Sequence, residues 1–196
     1  MPGLLPDVVA PIAYAVKGGL HATNLWRYKS DRADAGAART ALSALLLVFL
    51  RDHGACVWRR AGMAGPTHVA VVPSRRGRPG PHPMQALAAP YLTLPWVRLR
   101  AAGHDDAGAT HPDASRFHSE PAAGAAVMLL DDTWTSGASA TSAVAALKLA
   151  GARSVAVVVL GRHVAPGPAA GAPGFSLAAM PLRPELCAVH APGRSQ

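Results

Sequence analysis

Apolar residues along the chain fall into two kinds of run. Short continuous runs have the length of buried parallel strands: HVAVVP (68–73), VMLL (127–130) and VAVVVLG (155–161). Longer stretches repeat apolar residues at three- and four-residue intervals, as one face of a helix does: from Asp31 or Asp34 to about Asp52, and ATSAVAALKLAGA (140–152). Because strands alternate with helices, the pattern predicts an α/β fold with a mostly parallel central sheet flanked by helices.

The remaining segments complete a single predicted domain over residues 1–196. Pro83 predicts the start of a short helix, and WVRLR (96–100) alternates like an edge or half-buried strand. Glycines, prolines and small polar residues predict a long mobile loop over 101–125. The predicted parts are a helical hood (1–66), an α/β core (67–163), and a Pro/Gly-rich connection and tail (164–196).

The charge of the chain narrows the choice of partners. A formal net charge of +8 suits a polyanion, which could be nucleic acid or a phosphorylated small molecule. Arg75, Arg76 and Arg78 cluster in a Gly/Pro loop that lacks the interleaved aromatic residues typical of single-strand binding. Nucleic acid is therefore an unlikely main partner, and we expect a phosphorylated small-molecule ligand.

No continuous apolar run approaches the length of a membrane span, which is roughly 18 residues. The longest, LLLVFL (45–50), is flanked by charged residues in a helical pattern and predicts a core helix. Met1 begins no signal sequence, and two cysteines make no disulfide framework. These features predict a cytoplasmic protein without a membrane partner, and a homodimer is compatible with them.

The stretch VMLLDDTWTSGAS (127–139) carries the clearest chemistry. A small-residue loop that enters a helix directs backbone N–H groups at an anion. We expect this loop to wrap a phosphate with five consecutive residues: Thr135, Ser136, Gly137, Ala138 and Ser139. Asp131 and Asp132 beside it can accept hydrogen bonds from two vicinal hydroxyls, so the predicted ligand is a sugar 5-phosphate. The alternative is a capped helix whose N-terminal dipole the acids stabilise.

This stretch resembles the phosphoribosyl pyrophosphate motif of type I phosphoribosyltransferases: four apolar residues, two acids and a Thr/Ser-Gly-rich loop. VAVVPSRR stands where that family binds pyrophosphate, and GGLHATNLWRYKSD (18–31) resembles the ComF-like, amidophosphoribosyltransferase-related subgroup, where a lysine ends a similar segment. The resemblance covers roughly residues 18–163. It implies the type I phosphoribosyltransferase fold and transfer of a phosphoribosyl group to a nitrogenous acceptor with release of pyrophosphate.

The resemblance also assigns roles to individual residues. Asp131, Asp132, Arg75 and Lys29 are the expected catalytic residues, and Mg²⁺ is expected near the two acids, through the ribose or water. The expected substrate-binding residues are Ser74, Arg76, Arg116, Thr133, Trp134, Thr135, Ser136, Gly137, Ala138 and Ser139. Arg116 lies in the predicted mobile loop and is its best candidate for contacting pyrophosphate.

Three departures from the family keep other functions open. Thr135 stands where some purine-salvage members carry a carboxylate base, and RPGPHPMQAL (78–87) replaces the ComF-like signature after the pyrophosphate loop. Trp134 replaces an aliphatic residue, and its indole could pack under the loop or face a base. The alternatives are a phosphate-ligand-binding regulator or accessory protein without catalytic activity, and a family member recruited to other chemistry.

A second set of candidate metal ligands comes from two distant parts of the chain. DHGACVW places His53 three residues before Cys56, and ELCAVH places Cys187 three residues before His190. Together they supply a Cys₂His₂ set for structural Zn²⁺, with the first pair expected where a helix ends. Such a site would fix the tail to the N-terminal helix. The alternative is a buried cysteine and a surface histidine at each place.

Overall fold

The computed structural model describes residues 3–30, 33–74, 81–103 and 111–164, together with residues 187 and 189. Within these residues the central sheet has five strands: β1 (Val8–Pro11), β2 (Tyr14–Val16), β3 (His68–Val71), β6 (Ala126–Trp134) and β7 (Ser154–Val164). Their order is β1-β7-β6-β3, with β2 also on β7, and the pairs β1–β7, β2–β7, β6–β7 and β3–β6 are all parallel. The predicted α/β fold with a mostly parallel sheet is confirmed.

Helices cover both faces of the sheet. They are α1 (Leu20–Arg27), α2 (Ala35–Arg60), α3 (Pro83–Ala88) and α4 (Ala138–Leu149). One apolar cluster joins α1, α2 and α3 to Met128, Leu130 and Val158, and a second joins α4 to Val127, Leu129 and Val157. Alternate residues of β6 and β7 therefore enter opposite cores, which is why these strands are continuously apolar.

The unit β6-α4-β7 forms as the sequence predicts. α4 buries small residues against β6 and β7, and it ends before Gly151, whose φ of 98° is the left-handed conformation of a helix C-terminus. A parallel pair of strands needs this kind of crossover. The unit therefore positions the end of β6 beside the beginning of α4.

The N-terminal part is not wholly helical, because β1 and β2 belong to the central sheet. β1 pairs with residues 156–159 of β7 and β2 with residues 162–164, so the two short strands share one edge of β7. Val8, Val9 and Ile12 pack against the apolar clusters. The prediction of a helical hood over 1–66 misses these strands because each is shorter than a typical strand.

Helix α2 extends beyond the predicted end at Asp52, because Val57 is fully buried and continues its core face. Within the described residues it is the helix that is long and apolar enough to cross a membrane, by length and composition alone. Its buried positions recur every three or four residues, including Leu42, Leu46 and Phe49, and they face the sheet. This is the packing of an amphipathic helix against the face of a sheet.

The predicted loop 101–125 is partly structured. Strand β4 (Leu99–Ala101) pairs in antiparallel fashion with β5 (Phe117–Ser119), and a 3₁₀ helix (Ala114–Arg116) precedes β5. Buried Leu99 and Phe117 anchor this pair on the α4 side of the molecule. The expectation of one long mobile loop is therefore wrong for the described residues of this segment.

Candidate functional site

The two acids lie inside β6 and not after it. Pairing with β7 continues past the apolar residues, since Asp131 pairs with Val159 and Trp134 with Arg162. The carboxylates therefore project from a hydrogen-bonded strand. Their backbone is more rigidly held than it would be in the predicted loop.

The turn from β6 into α4 is short. Thr135 and Ser136 are exposed, and Gly137 is the N-cap of α4 with a φ of 79°. The Ser136 hydroxyl accepts a hydrogen bond from the Ala138 N–H at 3.4 Å, and Ser139 follows in the first helical turn. The first turn of α4 therefore has backbone N–H groups that no carbonyl within the helix accepts, as the first turn of any α-helix does.

Trp134 packs beneath this turn. An ideal Cβ built on Gly137 would lie 2.1 Å from Cζ2 of the indole, so the ring lies directly against the glycine. The ring is half-buried and also contacts the apolar cluster on the α4 side. Of the two positions expected for this indole, the structure has packing under the loop.

Asp132 is held by residues from the end of α1. The Tyr28 hydroxyl donates a 2.6 Å hydrogen bond to Oδ2, and Lys29 Nζ lies 2.5 Å from the same oxygen. The Asp132 side chain is only 13% exposed, whereas Lys29 is 32% exposed. The Lys29 ammonium therefore compensates the Asp132 charge, and about a third of the Lys29 side chain is exposed to solvent.

Asp131 has a different environment from its neighbour. Loss of hydration and, after it, the negative charge of Asp132 raise the pKa of the Asp131 carboxyl to about 7, against backbone hydrogen bonds and the charge of Lys29. The Asp131 carboxyl therefore keeps its proton to a higher pH than an ordinary aspartate does. One acid can carry a proton while the other is ionised and paired with a lysine.

Sequence reasoning did not identify the residues that hold α1 and the segment after it, residues 28–30, over the sheet. Arg39 of α2 donates from Nε to the Tyr28 carbonyl at 3.1 Å and from Nη2 to the Ser30 carbonyl at 2.9 Å. His21 bonds through Nε2 to the Leu160 carbonyl at 2.9 Å, and burial lowers its pKa, so the ring is neutral and donates. A Cβ on Gly161 would lie 2.4 Å from Leu25 Cδ1. This glycine lets α1 approach the end of β7.

The other predicted ligand-binding residues lie in different places. Thr133 is in β6, paired with Gly161. Arg116 is 6% exposed in the 3₁₀ helix that packs on α4, so its predicted place in a mobile loop is wrong, because Phe117 anchors the segment. Ser74 follows β3 and lines a cavity of about 550 Å³ with Trp96, Arg98 and Arg100. Arg75 and Arg76 lie outside the described residues.

The proposed zinc ligands are only partly described. His53 is buried and its ring lies 5.5 Å from that of Phe49, while Cys56 on the same helix is half-buried next to Cys187. The pair lies within α2, which continues to Arg60, and not at its end as predicted. His190 lies outside the described residues. Within the described part of the chain, no three His, Cys, Asp or Glu side chains form a group that could hold a metal ion.

Comparisons of the chain with protein-family models, with curated proteins and with solved structures gave no significant match. The fold defines the class, an α/β protein with a mostly parallel sheet, and the same fold serves many different functions.

Proposed function

We propose that this protein has the type I phosphoribosyltransferase fold and transfers the phosphoribosyl group of phosphoribosyl pyrophosphate to a nitrogenous acceptor, releasing pyrophosphate. One observation carries the proposal: Asp131 and Asp132 lie near the carboxyl end of a central parallel strand, two residues before the strand ends and a three-residue turn leads into α4. Ligands of parallel α/β sheets bind at this edge.

The parts of the site match the parts of a ribose 5-phosphate. The phosphate would accept hydrogen bonds from the first turn of α4 and from the hydroxyls of Thr135 and Ser136. The vicinal ribose hydroxyls would donate to the two carboxylates. Because Tyr28 and Lys29 already occupy one oxygen of Asp132, the other oxygen and the Asp131 carboxylate are the acceptors we assign to the ribose.

The chemistry of the transfer depends on charge. Departure of pyrophosphate from C1 leaves an oxocarbenium-like ribose, which ionised Asp131 would stabilise. Lys29, positioned by Tyr28 and Asp132, would face the negative charge of the ligand. Two adjacent carboxylates suit Mg²⁺, a cation that prefers oxygen ligands and would neutralise the leaving group when bound.

A turnover assay tests the class of reaction. Purified protein is incubated with phosphoribosyl pyrophosphate, Mg²⁺ and a panel of nucleobases and amines, and pyrophosphate release is measured. Release that depends on one acceptor and exceeds hydrolysis without acceptor supports transfer. Release at the hydrolysis rate with every acceptor tested contradicts it.

Replacing both acids should weaken binding of ribose 5-phosphate and leave the fold intact. The Asp131→Asn/Asp132→Asn protein loses charge-assisted hydrogen bonds that contribute about 1.5–3 kcal/mol each, so we expect affinity to fall by about tenfold or more. Asp52→Asn is the matched control, because Asp52 is a surface acid paired with Arg51 on α2. Isothermal titration that gives one affinity for all three proteins would remove the acids from the ribose site.

Arg75→Ala tests the pyrophosphate subsite. If Arg75 contacts the leaving group, this variant should lose more affinity for phosphoribosyl pyrophosphate than for ribose 5-phosphate. An equal loss for the two ligands would place Arg75 elsewhere.

A phosphate-ligand-binding regulator is the second candidate. The observation that favours it is the pairing of Asp132 with both Tyr28 and Lys29, together with Thr135 where a carboxylate base stands in some family members. A regulator would bind phosphoribosyl pyrophosphate in the titration and show no acceptor-dependent release in the turnover assay. The two experiments therefore separate the candidates.

A further inference from the structure

One arginine of α2 holds the backbone on both sides of Lys29. Nε of Arg39 donates to the Tyr28 carbonyl at 3.1 Å, and Nη2 donates to the Ser30 carbonyl at 2.9 Å. These two nitrogens lie on the same edge of one rigid, planar guanidinium. Arg39 therefore fixes the positions of the two carbonyls between which Lys29 lies.

The carbonyl groups at the end of α1 need such a partner. α1 ends at Arg27, and the last carbonyls of a helix have no acceptor role within it. The Arg27 carbonyl accepts from the Ser30 N–H at 2.9 Å and from the Ser30 hydroxyl at 2.7 Å, which closes a tight turn around Lys29. Arg39 joins this turn to α2, a helix packed on the sheet.

The side chains of the same turn reach the acid pair. The Tyr28 hydroxyl donates to Oδ2 of Asp132 at 2.6 Å, and Lys29 Nζ contacts the same oxygen. The Tyr28 side chain is buried, whereas Arg39 is exposed. The turn is therefore held by its backbone from α2 and by its side chains from β6.

We propose that Arg39 is a positioning residue of the candidate site: by holding the Tyr28 and Ser30 carbonyls it keeps the Lys29 ammonium at Asp132, where a phosphorylated ligand binds. The presence of the ligand there rests on the proposed function, and the hold of Arg39 on Lys29 does not. A cation that is fixed before the ligand arrives loses less conformational freedom on binding.

The first test measures Lys29 in ligand-free protein. The chain has three lysines, Lys17, Lys29 and Lys148, so mass spectrometry can follow acylation of each by a small amine-reactive reagent. In Arg39→Ala we expect Lys29 to react about threefold to tenfold faster, the factor that corresponds to one net hydrogen bond. Lys148, which pairs with Asp7 on α4, is the internal reference and should keep its rate.

Two further variants separate the geometry of Arg39 from its charge. Arg39→Lys keeps the charge, but its single nitrogen lacks the paired donors that hold two carbonyls, so Lys29 should react nearly as fast as in Arg39→Ala. Arg51→Ala is the matched control on the same helix, because Arg51 is exposed and bonds to its neighbour Asp52. It should leave the Lys29 rate unchanged.

The second test is a double-mutant cycle for the affinity of ribose 5-phosphate, measured by isothermal titration. Arg39→Ala should bind about threefold to tenfold more weakly than the original protein. In the Lys29→Met background, Arg39→Ala should cause no further loss, because Arg39 acts through Lys29. A merely structural role of Arg39 would instead give losses that add.

Each outcome decides a different claim. An unchanged Lys29 acylation rate in Arg39→Ala overturns the proposal, as do additive losses in the cycle and an Arg39→Lys protein that behaves like the original. If Arg39→Ala speeds acylation but neither Lys29→Met nor the double acid variant changes the affinity, the hold of Arg39 on Lys29 is supported and the proposed function is contradicted.

Discussion

Asp131 and Asp132 are adjacent in sequence and yet chemically different. Asp132 contacts Tyr28 and Lys29 at the end of α1, whereas loss of hydration and the charge of Asp132 act on Asp131. Asp132 is paired with a cation, and the Asp131 carboxyl has a pKa of about 7. Two adjacent acids of one motif therefore have different contacts and different surroundings.

The raised pKa of Asp131 predicts a pH dependence of stability. The folded carboxyl has a pKa of about 7, above its ordinary value of 3.8, so the folded protein binds this proton more tightly than the unfolded chain. Its contribution is favourable below about pH 4 and is lost as the pH rises toward 7, with a slope of at most about 1.4 kcal/mol per pH unit. The lowered pKa of the His21 ring acts in the opposite direction over the same pH range, so the Asp131 contribution is measured as the difference between the original protein and Asp131→Asn in urea denaturation of ligand-free protein in chelator between pH 5 and 7.

Asp131→Asn should remove the Asp131 contribution, so that stability falls less, or rises more, with pH than in the original protein. Asp52→Asn should leave that contribution unchanged, because Arg51 lowers the pKa of the Asp52 carboxyl and the group is already ionised across this range. Parallel pH profiles for the original protein and Asp131→Asn would show that Asp131 is not the titrating group.

At the scale of single elements, the turn into α4 depends on Gly137. A side chain there would adopt a left-handed φ of 79° and would also collide with the Trp134 indole. Gly137→Ala should therefore lower the free energy of unfolding by about 2 kcal/mol or more. Gly36→Ala in the first turn of α2 is the control, because its Cβ meets nothing within 4 Å, and it should stabilise the protein by up to about 1 kcal/mol. Denaturant titration of both variants measures the difference, and equal stability of Gly137→Ala and the original protein would contradict the requirement for glycine.

The elements that the sequence predicts are those whose apolar pattern is local. Such patterns predict the strands β3, β6 and β7, the helix α4 with its end at Gly151, and the start of α3 at Pro83. They do not predict where β6 ends, because backbone pairing with β7 extends β6 through polar Asp131 to Trp134. β1 and β2 are missed for a related reason, since they become strands only by pairing with a distant partner.

The residues of the candidate site also fall into those that the sequence could predict and those that it could not. The acid pair and the turn are contiguous in sequence and could be predicted from it. The contact of Lys29 with Asp132 joins distant parts of the chain, and the sequence proposed Lys29 for the site only through the family resemblance. The sequence did not single out Tyr28, Arg39 or His21, because each acts through hydrogen bonds that only the folded chain creates.

At the scale of the whole molecule, the N-terminal strands close one edge of the sheet. β1 and β2 cover the backbone groups of β7 from Ala156 to Val164.

Removing residues 2–16 should expose this edge, and exposed strand edges promote association. We expect the shortened protein to elute as aggregates in size-exclusion chromatography and to scatter light. Removing residues 2–6 is the control, because it leaves Asp7, which accepts a hydrogen bond from the Val155 N–H at 2.7 Å. Monomeric, fully folded protein without residues 2–16 would show that β7 tolerates an open edge.

The same edge has a consequence for the order in which the chain folds on the ribosome. Val8 pairs with Ala156, so the first strand to be synthesised has no partner until the last described strand has left the exit tunnel. At about 5–20 residues per second, this segment waits on the order of 10 s with Val8, Val9 and Ile12 unburied. β6, α4 and β7 are neighbours in sequence and can assemble as soon as they emerge, because their contacts are local. The N-terminal strands therefore dock last, and during synthesis they are the segment most exposed to chaperones and to pairing with a second nascent chain.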